Sequence, residues 1–173
     1  VDTVLTFEGD RGTPLRLLRA SKNRYGPADE VACFEQVDDG LREVTDPSSL
    51  FRSQRDGSVP GTCVTITLEG RRPMLVELQA LTTGSPGNNP LRRTTGVDST
   101  RAAMLVAVTE RAAKLRLWDK DVYLATVAGA RVSDTGADLA LCLAVCSAAR
   151  DTALPHDLAA IGEVALSGDV RPV

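Results

Sequence analysis

Thr62-Cys63-Val64-Thr65-Ile66-Thr67-Leu68 alternates between two sets of side chains, and its reading decides the fold. On an extended strand successive side chains point to opposite sides, so Val64, Ile66 and Leu68 share one face and Thr65 and Thr67 the other. A half-buried strand follows, with its valine, isoleucine and leucine expected inward. Gly70 ends it, residues 73–81 supply a pairing strand, and Gly84-Ser85-Pro86-Gly87-Asn88-Asn89-Pro90 is a turn-rich loop. Beyond the loop the period changes. Leu105, Val108, Ala112 and Leu115 fall at helical spacing behind Asp98, which predicts a helix over 99–117. Asp98 would cap its start, and Arg111, Lys114 and Arg116 would suit the negative end of its dipole. Residues 121–127 read as a buried strand. Thr135-Gly136-Ala137-Asp138 has the form of a capping box and opens a second helix over 137–150. Two strands, 160–166 and 169–173, close the chain about Ser167-Gly168. Sheet and helices in mixed order predict an α+β fold.

Upstream, residues 1–44 read as short strands: Val4, Leu5 and Phe7, then Leu15, Leu17 and Leu18, then Val31, Cys33 and Phe34. Asp38-Asp39-Gly40 joins the third to Leu41-Arg42-Glu43-Val44 as a hairpin turn. About 45 residues of strand do not bury an adequate core. Residues 1–45 are therefore expected to end a sheet whose other strands precede Val1. Pro47, Ser48, Ser49, Gly57, Ser58 and Pro60 mark 46–61 as a linker or an ordered connecting loop, and 62–173 as a second domain. An opening without Met and a finish at Arg171-Pro172-Val173 read as cuts from a longer chain.

Of 173 residues 43% are hydrophobic and 25% charged, an ordinary globular balance that excludes disorder and collagen. No apolar run reaches the ~18 residues of a membrane span, and the N-terminus lacks a signal-peptide pattern. A cytoplasmic protein without a membrane partner is expected. The net charge of -3 excludes a global basic field. Locally, Arg11, Arg16, Arg19, Lys22 and Arg24 form an acid-free stretch directly before seven acids between Asp29 and Asp46. Seventeen Arg against three Lys fit bidentate phosphate recognition, and fit a GC-rich genome equally. Cys33, Cys63, Cys142 and Cys146 show no C-x-x-C spacing and His156 is the one histidine, so neither a metal site nor a Cys/His nucleophile is supported. Cys142 and Cys146 read as small core residues and His156 as a surface loop residue.

No Walker A sequence, dinucleotide glycine fingerprint or G-x-S-x-G elbow occurs. Lys22-Asn23-Arg24-Tyr25-Gly26 remains, where two cations one residue apart share a face if extended and can together grip a phosphate. Taken alone, such a pattern is also that of a solvated surface.

V-D-T-V-L-x-F-E-G-D at 1–10, K-N-R-Y-G at 22–26, D-P-S-x-L-F at 46–51 and P-G-T-C-V-T at 60–65 occur in order. E-G-R-R-P at 69–73, E-L-Q-A-L at 77–81 and I-G-E-V-A-L-S-G-D-V-R-P-V at 161–173 continue the series. In this the chain resembles the RadA (Sms) family of bacterial recombination and repair proteins, which usually has Phe at the position of Tyr25. The resemblance implies that 1–45 are the last strands of a RecA-like ATPase core and 62–173 most of a domain similar to the proteolytic domain of Lon. It further implies a hexameric, DNA-binding ATPase that promotes branch migration, with recombinase or other repair partners. ATP and Mg would belong to the intact protein, and zinc to a finger upstream. Lys22, Asn23, Arg24, Tyr25 and Gly26 would act across a subunit boundary on nucleotide or DNA.

Lon carries a Ser-Lys dyad. Aligned on the Gly162-Glu163 hairpin, its serine falls at Ala137, and its lysine beyond Val173. Without a nucleophile no acyl-enzyme forms. Ser133 and Ser147 are substitutes of last resort, and Asp138 reads as the capping-box carboxylate. Arg71, Arg72, Arg92, Arg93 and Arg101 could track a DNA backbone from one face, or be scattered on a solvated surface. With six aromatic residues in the chain, base stacking is not expected to dominate. A pseudo-protease scaffold is the reading adopted. An active Lon-type peptidase and a purely structural oligomerisation module are its rivals.

Overall fold

The computed structural model describes residues 1–9, 15–48, 52, 57–87 and 89–173. Arg11 of the basic stretch, residues 49–51 of the Asp46-to-Phe51 motif and Asn88 of the turn-rich loop lie outside them. The fold is α+β. Strands β1 (Thr3–Glu8), β2 (Leu15–Asn23), β3 (Val31–Val37) and β4 (Gly40–Glu43) form an antiparallel meander in chain order. Val37 pairs with Gly40 across Asp38-Asp39, so the hairpin falls where its turn residues put it. Leu15, Val31 and Cys33 are buried, whereas Val4, Leu5, Phe7 and Leu41 are exposed.

A second sheet holds β5 (Thr62–Glu69), β6 (Arg72–Gly84), β7 (Arg92–Thr95) and β8 (Lys120–Thr126), in the order β5-β6-β8-β7. β7 runs parallel to β8. Its sequence, Arg-Arg-Thr-Thr, has no apolar alternation, and for that reason it was not expected. Two helices, α1 (Ser99–Ala112) and α2 (Asp138–Arg150), pack against this sheet, α2 across β5 and β6 and α1 beside α2 and β7. β9 (Glu163–Val164) and β10 (Val170–Arg171) make a closing hairpin much shorter than the two strands expected.

The faces of β5 are inverted relative to the sequence reading. Cys63, Thr65 and Thr67 are buried, Thr65 completely, while Leu68 is 59% exposed. Alternation fixes which residues share a face and is silent about which face goes inward. The inward residues register with Leu78, Val76 and Met74 of β6, which supply the apolar bulk. Ala140 and Ala144 of α2, both at 0% exposure, let the helix lie close over these slim side chains.

Three further boundaries move. α1 stops at Ala112, not 117, because Lys114 takes a left-handed φ of 52°. Glu110 Oε1 then accepts from the amides of Leu117 (2.8 Å) and Trp118 (2.9 Å), and Leu117 turns fully into the core. Thr135–Ala137 forms a single 3-10 turn whose cap is Asp134, accepting from Gly136 N at 2.8 Å. α2 starts after it, so Asp138 is no capping-box carboxylate.

Beside the shared apolar core, polar contacts join the two sheets. Arg19 pairs with Glu69 and, at 3.5 Å, with Glu8. Burial, the largest single influence, would lower its pKa, but the bonds and charges of Glu69 and Glu8 together outweigh it and raise the pKa. Arg71 N donates to Asp29 O at 3.2 Å beside Gly70, where an added Cβ would lie 2.5 Å from that carbonyl at a φ of 61°. The connection is anchored at its start: Pro47 is fully buried, Arg72 donates to Thr45 O, and Ser48 Oγ accepts from Leu75 N at 3.2 Å. Among the described residues no helix is long and apolar enough to cross a membrane.

Candidate functional site

Lys22 is the penultimate residue of β2, paired with Val4, while Arg24 lies one residue past the strand end. Asn23 builds the turn between them, its Oδ1 accepting from Tyr25 N at 3.1 Å and its Nδ2 donating to Pro27 O at 3.4 Å. Gly26 packs against this amide, 3.0 Å from where a Cβ would sit. The result is a solvent-facing corner with Lys22, Arg24 and Tyr25 exposed, Tyr25 at 80%. The acid-free setting is corrected by the fold: β1 brings Asp2 alongside, and Arg24 Nη1 pairs with its Oδ1 at 2.8 Å. Both members are about half or more exposed, so this pair holds the arm weakly. Lys22 has no ion-pair partner among the described residues.

The five other arginines do not share one face. Arg71 and Arg72 sit at the β5–β6 turn. Arg92 and Arg93 lie on β7, at the other edge of the sheet. Successive positions there point to opposite sides, so Arg93 registers with Tyr123 on the open face while Arg92 registers with the core residue Val122. Arg92 donates to the carbonyls of Lys120 (2.6 Å) and Leu117 (2.9 Å). Arg101, on α1, is drawn into a bidentate pair with Asp138: Nη2 bonds Oδ2, and Nε bonds Oδ1 at 3.2 Å. Its pKa is raised, first by that hydrogen bond and then by the carboxylate's charge against the opposing effect of burial. The single DNA-tracking face that these five could have formed is therefore dispersed to three sites, with Arg72, Arg92 and Arg101 engaged internally.

Ala137 is 5% exposed, at the end of the 3-10 turn that leads into α2, and lines a pocket with the apolar Leu78, Leu105 and Leu141 and the polar Arg101, Ser133 and Asp138. Asp138 follows at 3% exposure and also accepts from Val164 N at 3.1 Å, which ties α1, α2 and β9 together. Ser147 is buried, its Oγ accepting from Gly61 N (2.8 Å) and donating to Thr152 O (2.6 Å). Ser133 is exposed and precedes the turn. At the position of Ala137 the region offers a methyl group beside the Arg101–Asp138 ion pair.

All four cysteines are free, and burial pushes every thiol up, Cys63 to about 11. Cys142 and Cys146 lie one turn apart on α2, and among the described residues no group of three or more His, Cys, Asp or Glu side chains could hold a metal. Among the described residues the side chains thus do not fit zinc. His156 is exposed, as read. Sequence reasoning passed over Trp118, which the fold leaves 63% exposed with Arg116 stacked on it. The available signal was the setting Arg116-Leu117-Trp118-Asp119-Lys120, one Trp between cations.

Fold and site together define an α+β protein with an exposed basic corner and a buried alanine at the entry to its second helix. No established family profile matches the chain. Among curated proteins it is 51% identical to the DNA repair protein RadA of Mycolicibacterium smegmatis, 51% to that of Pseudomonas aeruginosa and 43% to that of Escherichia coli, each over all 173 residues. The chain spans 37%, 38% and 38% of the lengths of these three relatives. It belongs to the RadA family.

Proposed function

We propose that this chain serves DNA repair as part of a DNA-dependent ATPase that promotes branch migration of recombination intermediates. The carrying observation is identity of 43–51% along the whole chain to proteins named for DNA repair. In this reading residues 1–45 complete a RecA-like ATPase sheet, and 62–173 are a Lon-like domain acting as a non-proteolytic scaffold for a cytoplasmic hexameric ring on single-stranded or branched DNA. The buried Ala137 and the doubly bonded Ser147 hydroxyl support the scaffold role. ATP and Mg would be held by other parts of the full-length protein. The exposed corner of Lys22 and Arg24 would meet phosphate of a neighbour's nucleotide or of DNA.

The test is made in the full-length protein. Lys22→Ala and Arg24→Ala should fold normally, since exposed charge deletions usually change stability within about 0.5 kcal/mol. Branch migration should nevertheless be lost, and mixing either variant with a nucleotide-site mutant should restore some of it in mixed rings. Near-wild-type ATPase and branch migration in both variants would remove the corner from the mechanism.

A further inference from the structure

We propose that the α1–β8 loop, centred on Trp118, is a base-stacking contact for single-stranded DNA. This deepens the DNA-binding reading above and rests on it. Trp118 is the only tryptophan of the chain and is 63% exposed. A large apolar ring in a mobile loop would fold back onto the surface. Here the backbone under the ring is held in place: Glu110 holds the amides of Leu117 and Trp118, and Arg92 grips the carbonyls of Leu117 and Lys120. Arg150 donates to Ala113 O at 3.1 Å, Ser85 N donates to Asp119 O at 3.1 Å, and the buried Leu117 anchors the centre. The loop is a fixed pedestal.

Charge collects on the same pedestal. Arg116 lies over one face, 4.7 Å from the centroid of a ring that is 63% exposed. Arg111, Lys114 and Lys120 stand on the loop or at its ends, and Arg92 and Arg150 enter it through the bonds just described. The acids within the loop region are turned to structural use: Glu110 to two amides, Asp119 to Arg116 at 3.0 Å, and Asp121, 5% exposed, to Leu91 N at 2.9 Å. Asp151, beside Arg150, is exposed. An exposed aromatic ring amid cations is the chemistry by which single strands are held, since every base offers a face to stack and every linkage a charge. A double helix hides its base faces, and an acidic protein segment has none.

The experiment is titration of labelled oligo(dT) by fluorescence anisotropy with full-length protein, with circular dichroism confirming that each variant is folded. Trp118→Ala should weaken binding roughly tenfold, within the range for one lost stacked base, while Trp118→Phe keeps most of the affinity. Arg111→Ala with Lys114→Ala should reduce the slope of log affinity on log salt by up to about 1.4, at about 0.7 per phosphate. Unchanged affinity in Trp118→Ala would overturn this proposal and leave the family-based DNA reading standing. Absence of wild-type binding would overturn both. Poly-glutamate displacing oligo(dT) at equal charge concentration, with Trp118→Phe as weak as Trp118→Ala, would assign the loop to an acidic protein and overturn it too.

Discussion

Asp138 is 3% exposed, with one carboxylate oxygen shared between Arg101 and the amide of Val164 and the other bonded to Arg101 Nε. A carboxylate so deep is stable only because each oxygen has a donor and the opposing guanidinium supplies the countercharge. Removing one partner leaves an uncompensated charge and an unpaired amide. Asp138→Ala should therefore destabilise the protein by roughly 3 kcal/mol, the scale for breaking a buried pair. Chemical denaturation at pH 7 measures it, and Asp138→Asn should lose less because it retains an acceptor for Val164. A loss under about 1 kcal/mol for Asp138→Ala would mean that the pair adds little to the fold. The two residues stand 37 positions apart, and no local pattern couples them. Read singly, Arg101 joined a phosphate patch and Asp138 a helix cap. Ala137, in contrast, was singled out only through the Lon resemblance, and the structure shows it buried at the entry to α2.

Elements were legible where a local rule fixes them. Asp98 caps α1 as expected, its Oδ1 accepting from Arg101 N at 2.7 Å, and β8 falls within one residue of the span read from apolar content. Ends set by distant partners were not: α1 breaks early because Glu110 captures amides seven and eight residues on. The entry to β5 is of the same kind. Gly61 has φ 84°, its carbonyl accepts from Ala80 N at 2.7 Å, and its amide donates to Ser147 near the end of α2. A Cβ there would lie 2.2 Å from Ala80 O and 3.3 Å from Ala148 Cβ. Since the first obstacle is backbone, Gly61→Ala should cost about 2 kcal/mol or more, visible as a lowered thermal midpoint. Ser147→Ala should lower it less, because water can replace its bonds once the end of α2 loosens. Equal stability of wild type and Gly61→Ala would show that the junction relaxes freely.

At the scale of the molecule, one apolar core runs from Cys33 and Val31 of the first sheet through Met74 and Val76 to Leu105 and Val145 of the helices. Cys63 lies in it, and burial lifts its thiol from an ordinary 9.0 to about 11. A group whose folded pKa is raised contributes stability fully below the unfolded value and loses it as pH climbs through the folded one. The share of stability due to Cys63 should thus hold up to about pH 8 and fade between 9.0 and about 11, by about 2 to 3 kcal/mol. Denaturant midpoints across that window should fall less in Cys63→Ala, and identical slopes in the two proteins would refute the assignment. The sequence by itself determined the two helices and the strands other than β7, the Asp38-Asp39 hairpin, the Asp98 cap and the exposed corner at Lys22 to Tyr25, because period, turn chemistry and capping act over a few residues. Only the tertiary structure decided which face of β5 is buried, that β7 exists, that Arg92 and Arg101 turn inward, and that Trp118 stands out. Those outcomes depend on register, ion pairs and packing between residues far apart in the chain, which no local spacing encodes.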